Sequence, residues 1–141
     1  MVDSSRPSAF TLIELLIVIA IIGILSTLAM VALGSARVKS RDAKRVADIR
    51  QISTALELYY DDHGYYPSII TPGNSLVSQD GNSVYLSAIP NNPEPRNDNG
   101  CNDNNYSYSY STLTNKYALG FCLGSKSATL ESGVNLSTPD G

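Results

Sequence analysis

Few side chains in these 141 residues could take part in chemistry, and Glu14 is the least expected of them. It stands inside "SAFTLIELLIVIAIIGIL", residues 8–25, an otherwise apolar run. A carboxylate at membrane depth costs about 2.5–3.5 kcal/mol even on lenient insertion scales, so keeping one there implies a partner. The lone histidine, His63, follows Asp61 and Asp62 at a helix end and reads as a solvated cation favoured by the helix dipole, not as a general base. Cys101 and Cys122 have no second pair with which to build a zinc site. An even cysteine count in a chain with an export-type segment favours a disulfide, with two thiols in a reducing cell as the alternative. Asp98 and Asp103, set among asparagines, could offer oxygens to Ca²⁺. They do not fit an EF-hand, and a solvated turn is the competing reading. No nucleophile elbow, Walker sequence, H-E-x-x-H or G-x-G-x-x-G occurs. No catalytic residue is assigned, and the chain is not expected to be an enzyme.

The elements that must carry these residues are legible from patterning. Residues 1–9, "MVDSSRPSA", form a polar leader broken by Pro7. A secretory signal has its small-residue cleavage site after the apolar core. Here Ala9 precedes that core, so a cut at Ala9 would keep the hydrophobic segment. From Leu15 to Leu33 no residue is charged, enough to span a bilayer as a helix. Beyond Gly34 the pattern turns amphipathic: Val46, Ile49, Ile52, Leu56 and Tyr59 recur at steps of three and four. Asp42 can meet Arg45 at i,i+3. No proline interrupts Phe10 to Asp62, and Gly64 and Pro67 end the run.

The remainder reads as loops and short strands. "YSYSYS", residues 106–111, places Tyr106, Tyr108 and Tyr110 on one face; "KYALGFCL", residues 116–123, is a second strand; "ATLES" is the candidate third. So small a sheet needs a surface to cover, and the helix stripe supplies it. The expected fold is α+β, one long N-terminal helix packed against a small antiparallel sheet. Its parts are a leader (1–9), a hydrophobic membrane or filament-core segment (10–35), the amphipathic half of the same helix (36–63) and a head (64–141).

"FTLIELLIVIAIIGIL" resembles the N-terminal signature of type IV pilins and of the pseudopilins of type II secretion. The resemblance implies that a prepilin peptidase cuts between Ala9, where the family usually has glycine, and Phe10, and methylates the new amine of Phe10. It also matches Glu14 to the signature glutamate. The Phe10 amine of one subunit would then meet Glu14 of a neighbour as the helices bundle, each charge sparing the other an unpaired burial. "ARVKSRDAKRVADIRQISTALELYYDDHGYYP" and "YLSAIPNNP" resemble the corresponding pseudopilin segments, with Asn92 where aspartate is usual. The implied function is a structural subunit of a type IV pilus-like filament, major-pseudopilin-like. Its implied partners are further copies of itself, the prepilin peptidase, an inner-membrane assembly platform with its ATPase, and membrane lipid before assembly. Major pseudopilins hold calcium in their C-terminal loops; here no cofactor is expected, with calcium at Asp98 and Asp103 the one exception.

Charge bears on location and partners. Net charge is −3, which offers no basic excess for nucleic acid. Arg37, Lys39, Arg41, Lys44, Arg45 and Arg50 crowd just after the apolar run. The positive-inside rule alone would place the following part in the cytoplasm, whereas a disulfide points outside. The resemblance implies a single-pass inner-membrane protein with its amino terminus cytoplasmic and its head outside, then a cell-surface or periplasm-spanning filament. The alternative is a membrane-anchored binding module that forms no filament.

Overall fold

The computed structural model describes residues 10–102, 105–127 and 129–140. The leader, Ala9 and Asp103 lie outside them. The chain divides into two compact units, Met1–Ala36 and Arg37–Gly141.

One helix, α1, runs Leu12–His63. Its first part is apolar on every face, and the 18-residue window that qualifies it as long and apolar enough to cross a membrane has no buried residue. Such all-round hydrophobicity suits a membrane or a helical bundle. The hydroxyls of Thr27 and Ser35 donate to the carbonyls of Ile24 and Ala32, at 2.8 and 3.0 Å, so neither is left unpaired in an apolar setting. The helix continues through Gly23. It stops at Gly64, whose φ of +75° few other residues adopt and whose N–H donates to Tyr60 O at 2.7 Å.

In the second unit the predicted stripe is the core-facing one. Ile49, Ile52, Leu56 and Tyr59 are buried and Val46 packs against them. Their cover is a three-stranded antiparallel sheet of β3 (Ser107–Ser111), β4 (Lys116–Leu123) and β5 (Gly133–Ser137), in that spatial order,. A short hairpin of β1 (Leu76–Val77) and β2 (Val84–Leu86) adds Leu76 and Leu86 to the core. Tyr106, Tyr108 and Tyr110 project to the core side as their alternation predicts, and β4 has the predicted bounds. On β4, Tyr117, Leu119, Phe121 and Leu123 alternate inward.

The third strand is not where the sequence reading placed it. The described part of "ATLES", residues 129–132, precedes the strand, and Leu130 exchanges backbone hydrogen bonds of 2.9 and 2.8 Å with Ser127. The strand starts only at Gly133, opposite Leu123. The delay has a cause in the preceding turn. Asp42 accepts the N–H groups of Gly124 and Ser125 at 3.0 and 2.8 Å, holding the chain against the helix as it leaves β4. Gly124 is needed for that approach: a Cβ there would lie 2.7 Å from Asp98 Cβ and 2.9 Å from Val38 Cγ1. Gly124→Ala is therefore expected to destabilise this unit by about 1–3 kcal/mol, the usual range for overpacking. The denaturant midpoint of the near-UV tyrosine circular dichroism reads it, since all nine tyrosines lie in this unit.

Candidate functional site

Two places in the chain hold charge where apolar surroundings make charge expensive. The first is the start of α1. Thr11 N–H and Thr11 Oγ1 donate to Glu14 Oε2 at 2.8 and 2.7 Å, and Glu14 N–H donates back to Thr11 Oγ1 at 3.3 Å. This is a reciprocal capping box, which satisfies donors that the first helical turn leaves unpaired. The T-x-x-E spacing that signals it was present in the sequence, and the reading of Glu14 as a charge awaiting an amine passed over it. Both bonds fall on one carboxylate oxygen; Oε1 accepts none among the described residues. Phe10 precedes the helix and is 84% exposed. The structure thus places Phe10 and Glu14 at one helix end, with Glu14 oriented by Thr11 and one oxygen open.

The second place is inside the Arg37–Gly141 unit. Arg45 is fully buried and makes four contacts: Asp42 at 2.8 Å, Asn92 Oδ1 at 2.9 Å, Asp98 at 3.0 Å and the Pro95 carbonyl at 3.1 Å. Arg41 holds the same Asp98 through both carboxylate oxygens. Helical periodicity predicts that these charges pair on the faces away from the apolar stripe; Arg45–Asp42 and Lys44–Asp48 do pair, at 2.8 and 3.6 Å, but not on an open face. Instead Asp42, Arg45 and Asp48 are buried, and Tyr106 OH donates to Asp48 at 2.9 Å. An i,i+3 acid–base pair looks the same in sequence whether it faces water or protein. The signal available was their place on the apolar stripe, in line with Ile49 and Ile52.

This arrangement decides how Asp98 behaves. Both of its oxygens receive guanidinium donors, so it is the anion of an internal pair and does not fit an open cation ligand. Among the described residues no group of three or more His, Cys, Asp or Glu side chains is poised for a metal. The Arg41 hydrogen bond, ahead of the Arg45 bond, holds the Asp98 carboxyl below its ordinary range despite burial. A depressed folded value means that stability from Asp98 is present above about pH 4, the unfolded range, and is lost as pH falls toward the folded value. The denaturant midpoint is expected to drop as pH is lowered from about 5 to 2, and Asp98→Asn to make that drop shallower.

The cysteines meet. Cys101 and Cys122 form a disulfide with a Cα–Cα distance of 5.7 Å, tying the Asn-rich loop to β4. Closing a loop with 21 residues of separation confers about 3 kcal/mol in the chain-entropy account. Next to it, on the solvent side of the sheet, a cavity of about 170 Å³ is lined by Asn105, Ser107, Val134, Leu136 and others, with no titratable side chain among the described residues. His63 stacks on Tyr59 at a centroid distance of 4.3 Å, and its Nδ1 lies 3.0 Å from Tyr59 O.

The prokaryotic N-terminal methylation motif matches residues 4–30. The chain is 33% identical over 92 residues to Type II secretion system core protein G of Vibrio cholerae, covering 65% of this chain and 56% of that protein. The same protein of Pseudomonas aeruginosa is 33% identical, over 65% of this chain and 58% of its own length. A Fimbrial protein of Neisseria meningitidis is 34% identical over 80 residues, 57% of this chain and 47% of that protein. The chain spans about half the length of the curated relatives it matches. No solved structure matches it. The prepilin-type methylation motif and similarity to Type II secretion system core protein G therefore coincide in one chain with an α+β fold that opens on one long helix.

Proposed function

We propose that this chain is a structural subunit of a type IV pilus-like filament of the major-pseudopilin type. The prepilin peptidase removes the leader at Ala9 and methylates Phe10. Before assembly the apolar part of α1 anchors the subunit in the inner membrane, amino terminus in the cytoplasm and head outside. The assembly platform and its ATPase then extract it, and its neighbours' helices replace lipid as the apolar surroundings.

One observation carries this reading: an apolar helix, uncovered on every side, begins with a carboxylate that is half engaged by its own cap. In a bundle of such helices water is excluded, and a bare carboxylate or ammonium would each be heavily penalised. The Phe10 amine of a neighbour, approaching the open Oε1, cancels both. Because that match exists at one axial offset only, it also fixes register, a use of buried polar groups with good precedent. The internal pairing of Arg41 and Arg45 is compatible with a head outside. It takes two cations of the juxtamembrane cluster out of the count that would otherwise hold that segment in the cytoplasm.

The test is intact-mass analysis of protein sheared from cells, together with electron microscopy of the sheared fraction. Filaments whose subunit begins at a methylated Phe10 support the proposal. A chain that still begins at Met1, or one trimmed but found only in membranes, contradicts it; the latter result favours a membrane-anchored binding module.

A further inference from the structure

The charges of the Arg37–Gly141 unit do not all find partners. Arg41, Lys44, Arg45, Arg96, Lys116 and Lys126 each have an ion-pair partner within the unit. Arg37, Lys39 and Arg50 have none among the described residues, and all three are exposed on the first half of the unit's helix. Among the described residues of the unit, the carboxylates without an ion pair are Glu57, Asp61, Asp62 and Asp80. Glu57 accepts from Tyr66 and Tyr117, Asp62 from Tyr85, and Asp80 from Ser78 and Asn82. Asp61 alone has no partner among the described residues. It sits in the last turn of α1, where the helix dipole disfavours a negative charge, and its neighbour Asp62 disfavours it further. Nothing among the described residues compensates.

Position on the helix makes the leftovers complementary. Lys39, Arg50 and Asp61 are spaced by eleven residues, close to three turns, and so share one exposed stripe on the side away from buried Ile52 and Leu56. That stripe is basic toward its start and acidic at its end. A copy of the chain running parallel and raised by twenty-two residues, about 33 Å, brings its Lys39 level with Asp61 of the lower copy. Arg37 stands two residues before Lys39. A rise of eleven residues would set Arg50 of the upper copy against Asp61 of the lower, but it would also set Lys39 of the upper copy against Arg50 of the lower, cation to cation, whereas the twenty-two-residue rise carries no such clash. Parallel copies sharing one membrane cannot form the antiparallel two-fold pair that would also join opposite ends. The contact is thus heterologous, the kind that propagates into an open polymer.

We infer that Asp61 of one subunit pairs with Lys39 of another copy raised by about 33 Å, forming a head-level contact additional to the helix bundle. The inference rests on the filament reading of the chain. It concerns the head, whereas that reading turns on the amino terminus, so the two can fail separately.

Charge reversal tests it in the full chain expressed in cells that assemble it, with sheared filament yield as the readout. Asp61→Lys and Lys39→Asp are each expected to cut yield at least tenfold. The chain carrying both, complementary again, is expected to return within twofold of wild type. Both sites are exposed, so near-UV circular dichroism should match wild type throughout. A second measurement uses cysteines: oxidised filaments of the Lys39→Cys, Asp61→Cys chain should give a ladder of covalent oligomers, and the Arg50→Cys, Asp61→Cys chain should not. Single reversals that assemble at wild-type yield, or a double reversal without rescue, overturn the pairing while leaving the filament reading intact. Loss on reversing Lys39 but not Asp61, with no ladder, assigns the cation to anionic lipid and also overturns it. A wild-type chain that makes no filament overturns the parent reading instead.

Discussion

Glu14→Ala is expected to enter the membrane at the wild-type level and to lower filament yield by about a hundredfold or more. The magnitude follows from what is left behind. Each incorporated subunit would bury a Phe10 ammonium with no counter-charge, and breaking a buried pair from one side costs about 3–5 kcal/mol. At about 1.4 kcal/mol per factor of ten, the lower bound is already two orders of magnitude. The capping box complicates a simple reading, because alanine also removes the acceptor for Thr11, worth about 0.5–2 kcal/mol of helix stability. Glu14→Gln separates the two effects. Its amide oxygen can still accept from Thr11 and keep the helix start, but it carries no charge. The account expects Glu14→Gln to assemble nearly as poorly as Glu14→Ala. If capping were the whole role of Glu14, glutamine would restore most of the yield. Sheared-fraction immunoblots normalised to membrane-inserted chain distinguish these outcomes.

Arg45→Ala is expected to destabilise the Arg37–Gly141 unit by about 3–5 kcal/mol. The guanidinium is fully buried and lies between two buried carboxylates, Asp42 and Asp98. Without it Asp42 loses its ion-pair partner among the described residues, and Asp98 retains Arg41, one-fifth exposed. Asp42 also fastens the turn after β4, so the damage reaches the strand order: Gly124 and Ser125 hang on an anion that can no longer stay charged and dry. Lysine is no remedy, since one ammonium cannot reach Asp42, Asn92, Asp98 and the Pro95 carbonyl from a single point. With urea slopes of about 1–3 kcal/mol per molar, the midpoint should move down by at least 1 M. The measurement is the tyrosine near-UV signal of the whole chain in detergent micelles. A shift smaller than about 0.3 M would show that the cluster is solvated and contributes little.

The elements that were legible in the sequence are those whose signal is periodic. The stripe through Ile49, Ile52, Leu56 and Tyr59 repeats at helical spacing and meets its partner on the alternating faces of β3 and β4. Strand β4 is bounded by the turn at Thr112–Asn115 and by Gly124, so its ends were readable. Strand β5 was not. "GVNLS" has only two apolar residues, Val134 and Leu136, and both face solvent, so nothing in its composition announces burial. Its location is set by tertiary bonds from Asp42, which lies about eighty residues earlier in the chain. The same limit hid the charge cluster. Asp42 and Arg45 satisfy a surface-helix rule as well as a buried one, and only Asn92, Pro95 and Asp98, brought in by the loop, decide between them. At the amino terminus the opposite happened. A purely local motif, Thr11 to Glu14, is readable in the sequence and went unread, because attention fell on a partner in another subunit. The structure accommodates both, because cap and open oxygen are different atoms of one carboxylate.

The central claim is that the amine of Phe10 neutralises Glu14 of a different subunit inside the assembled bundle. A filament reconstruction by electron cryomicroscopy at side-chain resolution measures this directly. The Phe10 nitrogen of one subunit is expected about 2.7–2.9 Å from a Glu14 carboxylate oxygen of a neighbour, with Thr11 still donating to the other oxygen. A map in which each Phe10 amine instead folds onto its own Glu14, or lies in solvent with Glu14 unpaired, contradicts it.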